Sequence, residues 1–239
     1  MKITRYDPNM ATRPAPTDGM VWHSPAEAPF RLAGFPWFER DRLYRRLPHK
    51  AVPPLPAAVD ALAWHTAGGQ VAFKTDSRRI AIKVRLHRVN LFDHMTATGL
   101  KGFDLYRGLP GRMQYIATTR FPARAMAYDA TLWNAERAKM DVYTLNFPLY
   151  AGVKEVWIGL DKKARVVAPP PYASQDPIVI YGTSITQGGC ANRPGMAFTN
   201  ILARRLNRPI VNLGFSGSGR WSPTWRGTWP MPARTRPCW

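Results

Sequence analysis

Three consecutive prolines, Pro169, Pro170 and Pro171, with Pro177 close behind, separate two stretches whose hydrophobic periods differ. Successive prolines hold an extended polyproline geometry, so residues 168–176 read as a stiff linker. Before it the pattern alternates. Gln70 to Asp76 and Arg79 to Val89 place apolar and polar side chains at period two, with Ile80, Ile82, Val84 and Leu86 on one side. Lys83, Arg85 and His87 fall on the other and are expected to face solvent. The segments Gly102 to Tyr106, Met113 to Thr118, Val142 to Phe147 and Lys154 to Leu160 continue the pattern between Gly, Pro and Asp turns. Short alternating strands of this kind predict an antiparallel β-sandwich, which we assign to residues 1–167. Residues 1–55, rich in Pro, Arg and aromatics, read as an extended arm carrying one or two strands. The spacing allows a short helix between Leu55 and Ala63, starting at or after Pro56 because a proline is tolerated only in a first helical turn.

After the linker the period changes. Ile178 to Tyr181 is wholly apolar, as expected of a buried parallel strand. Residues 197–206 read as a helix with Phe198, Ile201, Leu202 and Leu206 on one face, and Ile210 to Leu213 forms a second apolar strand. Residues 177–219 are therefore one β-α-β unit. The fold class expected is an N-terminal antiparallel β-sandwich followed by the start of a flavodoxin-like α/β domain, incomplete within this chain. A lone unit of this kind lacks strand neighbours and a second covering layer, so the part after the linker is expected to stay partly disordered or to associate.

The 239 residues are 45% hydrophobic and 12% aromatic, enough for a true core. The formal net charge is +19, but the excess is scattered arginine without a block of five or more basic residues. Diffuse charge gives nonspecific attraction and no base readout, so no specific nucleic-acid partner is expected. No apolar run reaches membrane-spanning length, and the start lacks a signal-peptide core. Cys190 and Cys238 form no disulfide framework. The expectation is a cytoplasmic protein with no membrane partner, no cofactor and no metal.

Ser184 carries the chemistry. The apolar strand ends at Tyr181, Gly182 permits a sharp turn, and Ser184 emerges at the carboxyl edge where open α/β sheets bind ligands. A following helix would offer its first amides to a developing anion. Gly182-Thr-Ser-Ile-Thr-Gln-Gly and Asn212-Leu-Gly-Phe-Ser-Gly-Ser-Gly resemble the first two sequence blocks of the SGNH, or GDSL, hydrolases. Gly102-Phe-Asp-Leu-Tyr and the Arg-Arg-Leu-Pro of Arg45 to Pro48 resemble the N-terminal sandwich of a bacterial two-domain branch of that family. Thr183 stands where many members have Asp. The resemblance implies a serine carboxylesterase or carbohydrate deacetylase acting on a small acyl ester or acetylated sugar. It implies Ser184 as nucleophile, with its own N–H and that of Gly217 as oxyanion donors. The family's further donor, the Asn of a Gly-x-Asn-Asp block, and its base, the His of an Asp-x-x-His block, do not occur in this sequence. His23, His49, His65, His87 and His94 all lie in the N-terminal region, and Asp93-His94 is the one acid–imidazole pair. Two other readings compete. The aromatic-rich sandwich could be a non-catalytic module binding carbohydrate or protein. Gly214-Phe-Ser-Gly-Ser-Gly could be a nucleotide loop, although no helix follows it and no acidic residue lies downstream.

The tail from Arg220 has four Trp, four Pro and four Arg, without Leu, Ile, Val, Asp, Glu or Lys. A shifted reading frame permits an amphipathic helix and an apolar strand in its place. Residues 220–239 are accordingly expected to be an out-of-frame tail that truncates the hydrolase domain.

Overall fold

The computed structural model describes residues 19–89 and 92–219. The first part of the arm and the expected out-of-frame tail lie outside the described residues. The arm contributes two short strands, β1 (Met20–His23) and β2 (Arg31–Ala33), and a helical turn, α1 (Phe38–Asp41). The helix α2 spans Ala57–Leu62, directly after Pro56. Then come β3 (Gln70–Thr75), β4 (Arg79–Val89), α3 (Ala97–Lys101), β5 (Asp104–Arg107) and β6 (Gln114–Thr118). Next are β7 (Ala127–Asn134), β8 (Asp141–Asn146), β9 (Ala151–Asp161) and β10 (Val166–Val167).

Two antiparallel sheets face each other. One has the order β1-β9-β4-β7; the other runs β10-β3-β8-β5-β6, with β2 also paired to β3. Alternation decides their inner faces. Ile80, Ile82, Val84 and Leu86 of β4 pack with Val156, Ile158 and Leu160 of β9 against Val71, Phe73, Leu105 and Leu145. On the outer face His87 departs from expectation. It is half-buried because the Trp64 ring covers it at 4.5 Å.

The second part holds β11 (Ile178–Gly182), α4 (Ser184–Gln187), a 3-10 turn at Pro194–Met196, α5 (Phe198–Leu206) and β12 (Ile210–Gly214). Strands β11 and β12 pair in parallel, from Ile178↔Ile210 to Gly182↔Gly214. The expected lack of a covering layer is corrected here. Val211, Leu213 and Phe215 pack on Trp37, Leu47, Val59 and Ala63, so the arm and α2 cover one face of the pair. The helix also departs from expectation: its buried residues are Thr199, Asn200 and Ala203, whereas Phe198 and Leu206 are exposed. Polar partners explain the buried choice. Asn200 Nδ2 donates to Pro194 O, and Thr199 Oγ1 accepts from Asn212 Nδ2.

Candidate active site

Both parallel strands end in glycine at the same edge, and each glycine is required by a close approach. A Cβ on Gly182 would strike the Thr186 hydroxyl, and one on Gly214 would strike the Gln187 amide. The turn bearing Ser184 can therefore lie flat against β12. The Phe215 amide donates to Gly182 O at 2.9 Å, tying the two strand ends together. A Cβ on Gly219 would collide with the Gly182 carbonyl, so the loop after β12 returns to the Ser184 turn.

Ser184 is half-buried, and its carbonyl accepts from the Gly189 amide at 2.7 Å and from Tyr150 Oη at 3.3 Å. Among the described residues its Oγ makes no hydrogen bond. The helix directly after it is one turn of four residues closed by Gly188 at φ 106°, separate from the helix expected at residues 197–206, so it brings little dipole. Gly217 lies in the loop after β12, within a turn closed by Ser218 N–H to Phe215 O at 2.9 Å. Its φ of 69° is the left-handed geometry that glycine adopts without a Cβ penalty. The Gly217 N–H belongs to the central peptide of that turn, so the turn's own bond does not consume it. No other bond to it exists among the described residues.

Behind this surface sits a buried polar cluster. Gln187 is fully buried and has three partners. Its Oε1 accepts the Ser216 amide at 3.0 Å, and its Nε2 lies 3.1 Å from Leu149 O and 2.9 Å from His65 Nδ1. Ser216 N–H can only donate and Leu149 O can only accept, which fixes the orientation of the amide. His65 Nδ1 must therefore accept, leaving the ring neutral. Burial, with Arg46 nearby, agrees by pushing the His65 pKa down to about 3. Arg46 is fully buried without a carboxylate. Its Nε donates to His65 O at 2.7 Å, and Nη2 donates to Leu62 O at 2.7 Å. Nη1 reaches Gly214 O at 2.5 Å, Asn212 O at 3.2 Å and Asn212 Oδ1 at 3.4 Å.

The Gly102–Tyr106 motif holds the other side. Asp104, fully buried, accepts from Asn146 Nδ2 and the Gly195 amide, each at 2.7 Å. Arg193 approaches to 3.8 Å, an ion pair without a hydrogen bond. Burial outweighs these partners and raises the Asp104 pKa to about 6.

The structure thus brings Ser184 and the Gly217 loop to one edge. Asp93 and His94 pair at 3.3 Å but are exposed, and among the described residues neither hydrogen-bonds to Ser184. Sequence reasoning missed His65, Gln187 and Arg46. Gln187 lay unremarked inside the serine block, His65 was one of five N-terminal histidines, and the Arg-Arg-Leu-Pro run held Arg46, but a bare arginine pair does not announce burial. Among the described residues no cluster of three or more His, Cys, Asp or Glu could hold a metal. No helix there is long and apolar enough to cross a membrane. A cavity of about 660 Å³ on the sandwich, lined by Asp76, Arg78, Asp161 and Lys162 among others, includes no residue of the Ser184 turn.

A sandwich carrying the Gly-x-Asp-Leu-Tyr motif, joined to a parallel strand pair with a serine turn, defines a two-part hydrolase architecture. Residues 20–166 match the family described as the N-terminus of SGNH hydrolase-type esterases with the GxDLY motif. Residues 175–224 match the GDSL-like lipase/acylhydrolase family. The chain belongs to the SGNH-type esterases, a hydrolase family. Among solved structures it is similar to one described as a GDSL-like lipase from Bacteroides ovatus, at 27% identity and a TM-score of 0.75, over 84% of this chain and 58% of that one. The salicylyl-acyltransferase of a tetracycline biosynthetic pathway shares the fold at 18% identity and a TM-score of 0.64, over 84% and 56%. A family two carbohydrate esterase from Cellvibrio japonicus does so at 10% identity and 0.51, over 83% and 53%. The chain therefore spans somewhat more than half the length of each of these structures. No curated protein matches it.

Proposed function

We propose that the chain carries the nucleophile half of a serine acyl-ester hydrolase, with Ser184 as nucleophile and the N–H groups of Ser184 and Gly217 as oxyanion donors. The substrate class is a small acyl ester, with an acetylated sugar as the leading example. One observation carries the reading. The serine turn and the Gly217 turn leave adjacent parallel strands at one edge, tied by Phe215 N–H to Gly182 O. In the first step Ser184 Oγ bonds to the ester carbonyl carbon and its proton passes to a base. The carbonyl electrons move onto oxygen, where backbone N–H donors stabilise the charge. Collapse expels the alcohol, which takes the proton from the protonated base, and water, giving a proton to that base, then releases the acid from the acyl-serine and restores the serine hydroxyl.

His65 does not serve as that base. Its Nδ1 is engaged by Gln187, and a pKa of about 3 leaves it with little affinity for the serine proton. Removal of a triad base costs several powers of ten. The 239-residue chain is therefore expected to hydrolyse p-nitrophenyl acetate no faster than its Ser184→Ala variant. A robust Ser184-dependent rate would contradict the proposed division of roles.

A second reading, a glycan-binding sandwich, draws on Trp157, which is exposed on the outer face where Lys83 Nζ sits 4.1 Å from the Trp22 ring. Acetylated-glycan binding that survives Ser184→Ala but not Trp157→Ala would favour it.

A further inference from the structure

We infer that the N-terminal sandwich is a working part of the oxyanion site, and that Gln187 is the residue through which it positions the Gly217 amide. The inference rests on the proposed role of Gly217. The loop that must present that amide begins at Gly214, and two buried side chains fix its first peptides. Arg46 Nη1 holds the Gly214 carbonyl, and Asn212 Oδ1 accepts the Gly214 amide at 2.9 Å. Gln187 Oε1 then takes the Ser216 amide at 3.0 Å. The next N–H along the chain is that of Gly217. With the Ser216 amide bound inward and Ser218 N–H bonded back to Phe215 O, the Phe215–Ser218 turn has its orientation set.

Gln187 is in turn aimed by the N-terminal half. Leu149 O and His65 Nδ1 both engage its Nε2, and together they dictate which end of the amide faces Ser216. A glutamine flipped by 180° would oppose Nε2 to the Ser216 N–H. A neutral, accepting His65 is thus useful here as an orienting group. Gln187 also lies three residues after Ser184, on the same helical turn, so one side chain couples the nucleophile turn, the oxyanion loop and the sandwich.

The test compares wild type, Gln187→Met and Gln187→Glu in the full chain. Amide hydrogen exchange is read by NMR at Ser216, with Val211 and Leu213 of β12 as internal references. Ser184 acylation by p-nitrophenyl acetate in imidazole buffer is followed by peptide mass spectrometry. Methionine removes both the donor and the acceptor. Ser216 exchange is expected to rise about 10-fold while the β12 references stay unchanged. Acylation is expected to fall on the order of 10²-fold, with its dependence on ester concentration unaltered, the mark of a lost transition-state donor. Glutamate restores an acceptor for the Ser216 N–H and draws a proton onto His65, so Ser216 protection returns and a His65 imidazolium signal appears. Unchanged Ser216 exchange in Gln187→Met would overturn the inference. So would equal acceleration across β12, or acylation unaffected despite fast Ser216 exchange. If Ser184 is acylated in none of the three proteins, the proposed function fails, and the exchange data still decide the role of Gln187.

Discussion

Arg46 offers a severe test of how the two parts of the chain are joined. It makes five hydrogen bonds, four to the backbone carbonyls of Leu62, His65, Asn212 and Gly214 and one to Asn212 Oδ1. Two effects oppose each other in Arg46→Met. Leu62 O keeps the His65 amide at 3.0 Å, so three buried carbonyls are stranded at roughly 1–3 kcal/mol each, about 6 kcal/mol at the middle of that range. Against this, the variant no longer buries a cation. Burial lowers the Arg46 pKa from 12.5 to about 9, and at 1.36 kcal/mol per unit the relief is on the order of 5 kcal/mol. The net expectation is a loss of about 1 kcal/mol. Arg46→Lys separates the two effects. Lysine keeps the buried charge but has three donors for five acceptors. It gains no relief, and three donors on one nitrogen do not span carbonyls that the guanidinium fork reaches from separate nitrogens, so it should be no milder than methionine. Urea unfolding followed by both tryptophan fluorescence and far-UV circular dichroism measures all three proteins. A methionine variant within about 0.5 kcal/mol of wild type, the scatter of ordinary surface substitutions, would refute the reasoning. A lysine variant close to wild type would refute it as well.

Three further outcomes follow from particular contacts. Asp104 has a folded pKa raised to about 6 from 3.8, so its contribution to stability is fully present below about 3.8 and is lost as pH rises through about 6. Between pH 4 and pH 7 wild type should lose about 2.4 kcal/mol more than Asp104→Asn. Asp41, Asp76 and Asp161, whose pKa values are lowered, act in the opposite direction in both proteins and cancel in the difference. A flat difference across that range would show that Asp104 does not titrate there. Gly214→Ala drives a methyl group into the Gln187 amide and should cost about 1–3 kcal/mol by overpacking, together with most Ser184 acylation. Wild-type acylation in that variant would show that the turn need not lie against β12. Phe73→Ala, at a fully buried ring between the sheets, should cost about 3–5 kcal/mol in chemical denaturation. A loss under about 1 kcal/mol would mean that the sheets do not pack through it.

The legible parts of this sequence are those where one segment decides its own structure. The alternation of Ile80, Ile82, Val84 and Leu86 fixes which face of β4 is buried, and the apolar run at Ile178 marks a strand without outside help. The serine turn was equally local, because Gly182 and Ser184 lie two residues apart. What escaped depends on distant partners. The buried side of α5 is polar because Asn212, 13 residues from Thr199, supplies a donor. His65 and Gln187 are 122 residues apart, and nothing in either neighbourhood announces the other. Arg46 reads as one more surface cation in a chain of net charge +19 until its five acceptors are seen to come from both parts. The strand β7, Ala127–Asn134, does alternate, with Tyr128, Ala130 and Leu132 inward, but its polar positions made the pattern faint.

The central claim is that Ser184 is the nucleophile and that the described residues bring it no base. Acylation by p-nitrophenyl acetate, mapped by peptide mass spectrometry with and without imidazole, addresses both halves at once. Without imidazole, Ser184 should acquire acetyl no faster than Ser216 or Ser218. With imidazole as an external base, acetyl should accumulate selectively on Ser184, and persist once imidazole is removed, since deacylation needs the same base. Equal labelling of the three serines in imidazole would contradict the assignment of the nucleophile. Rapid, selective labelling of Ser184 without imidazole would show that the chain supplies a base of its own.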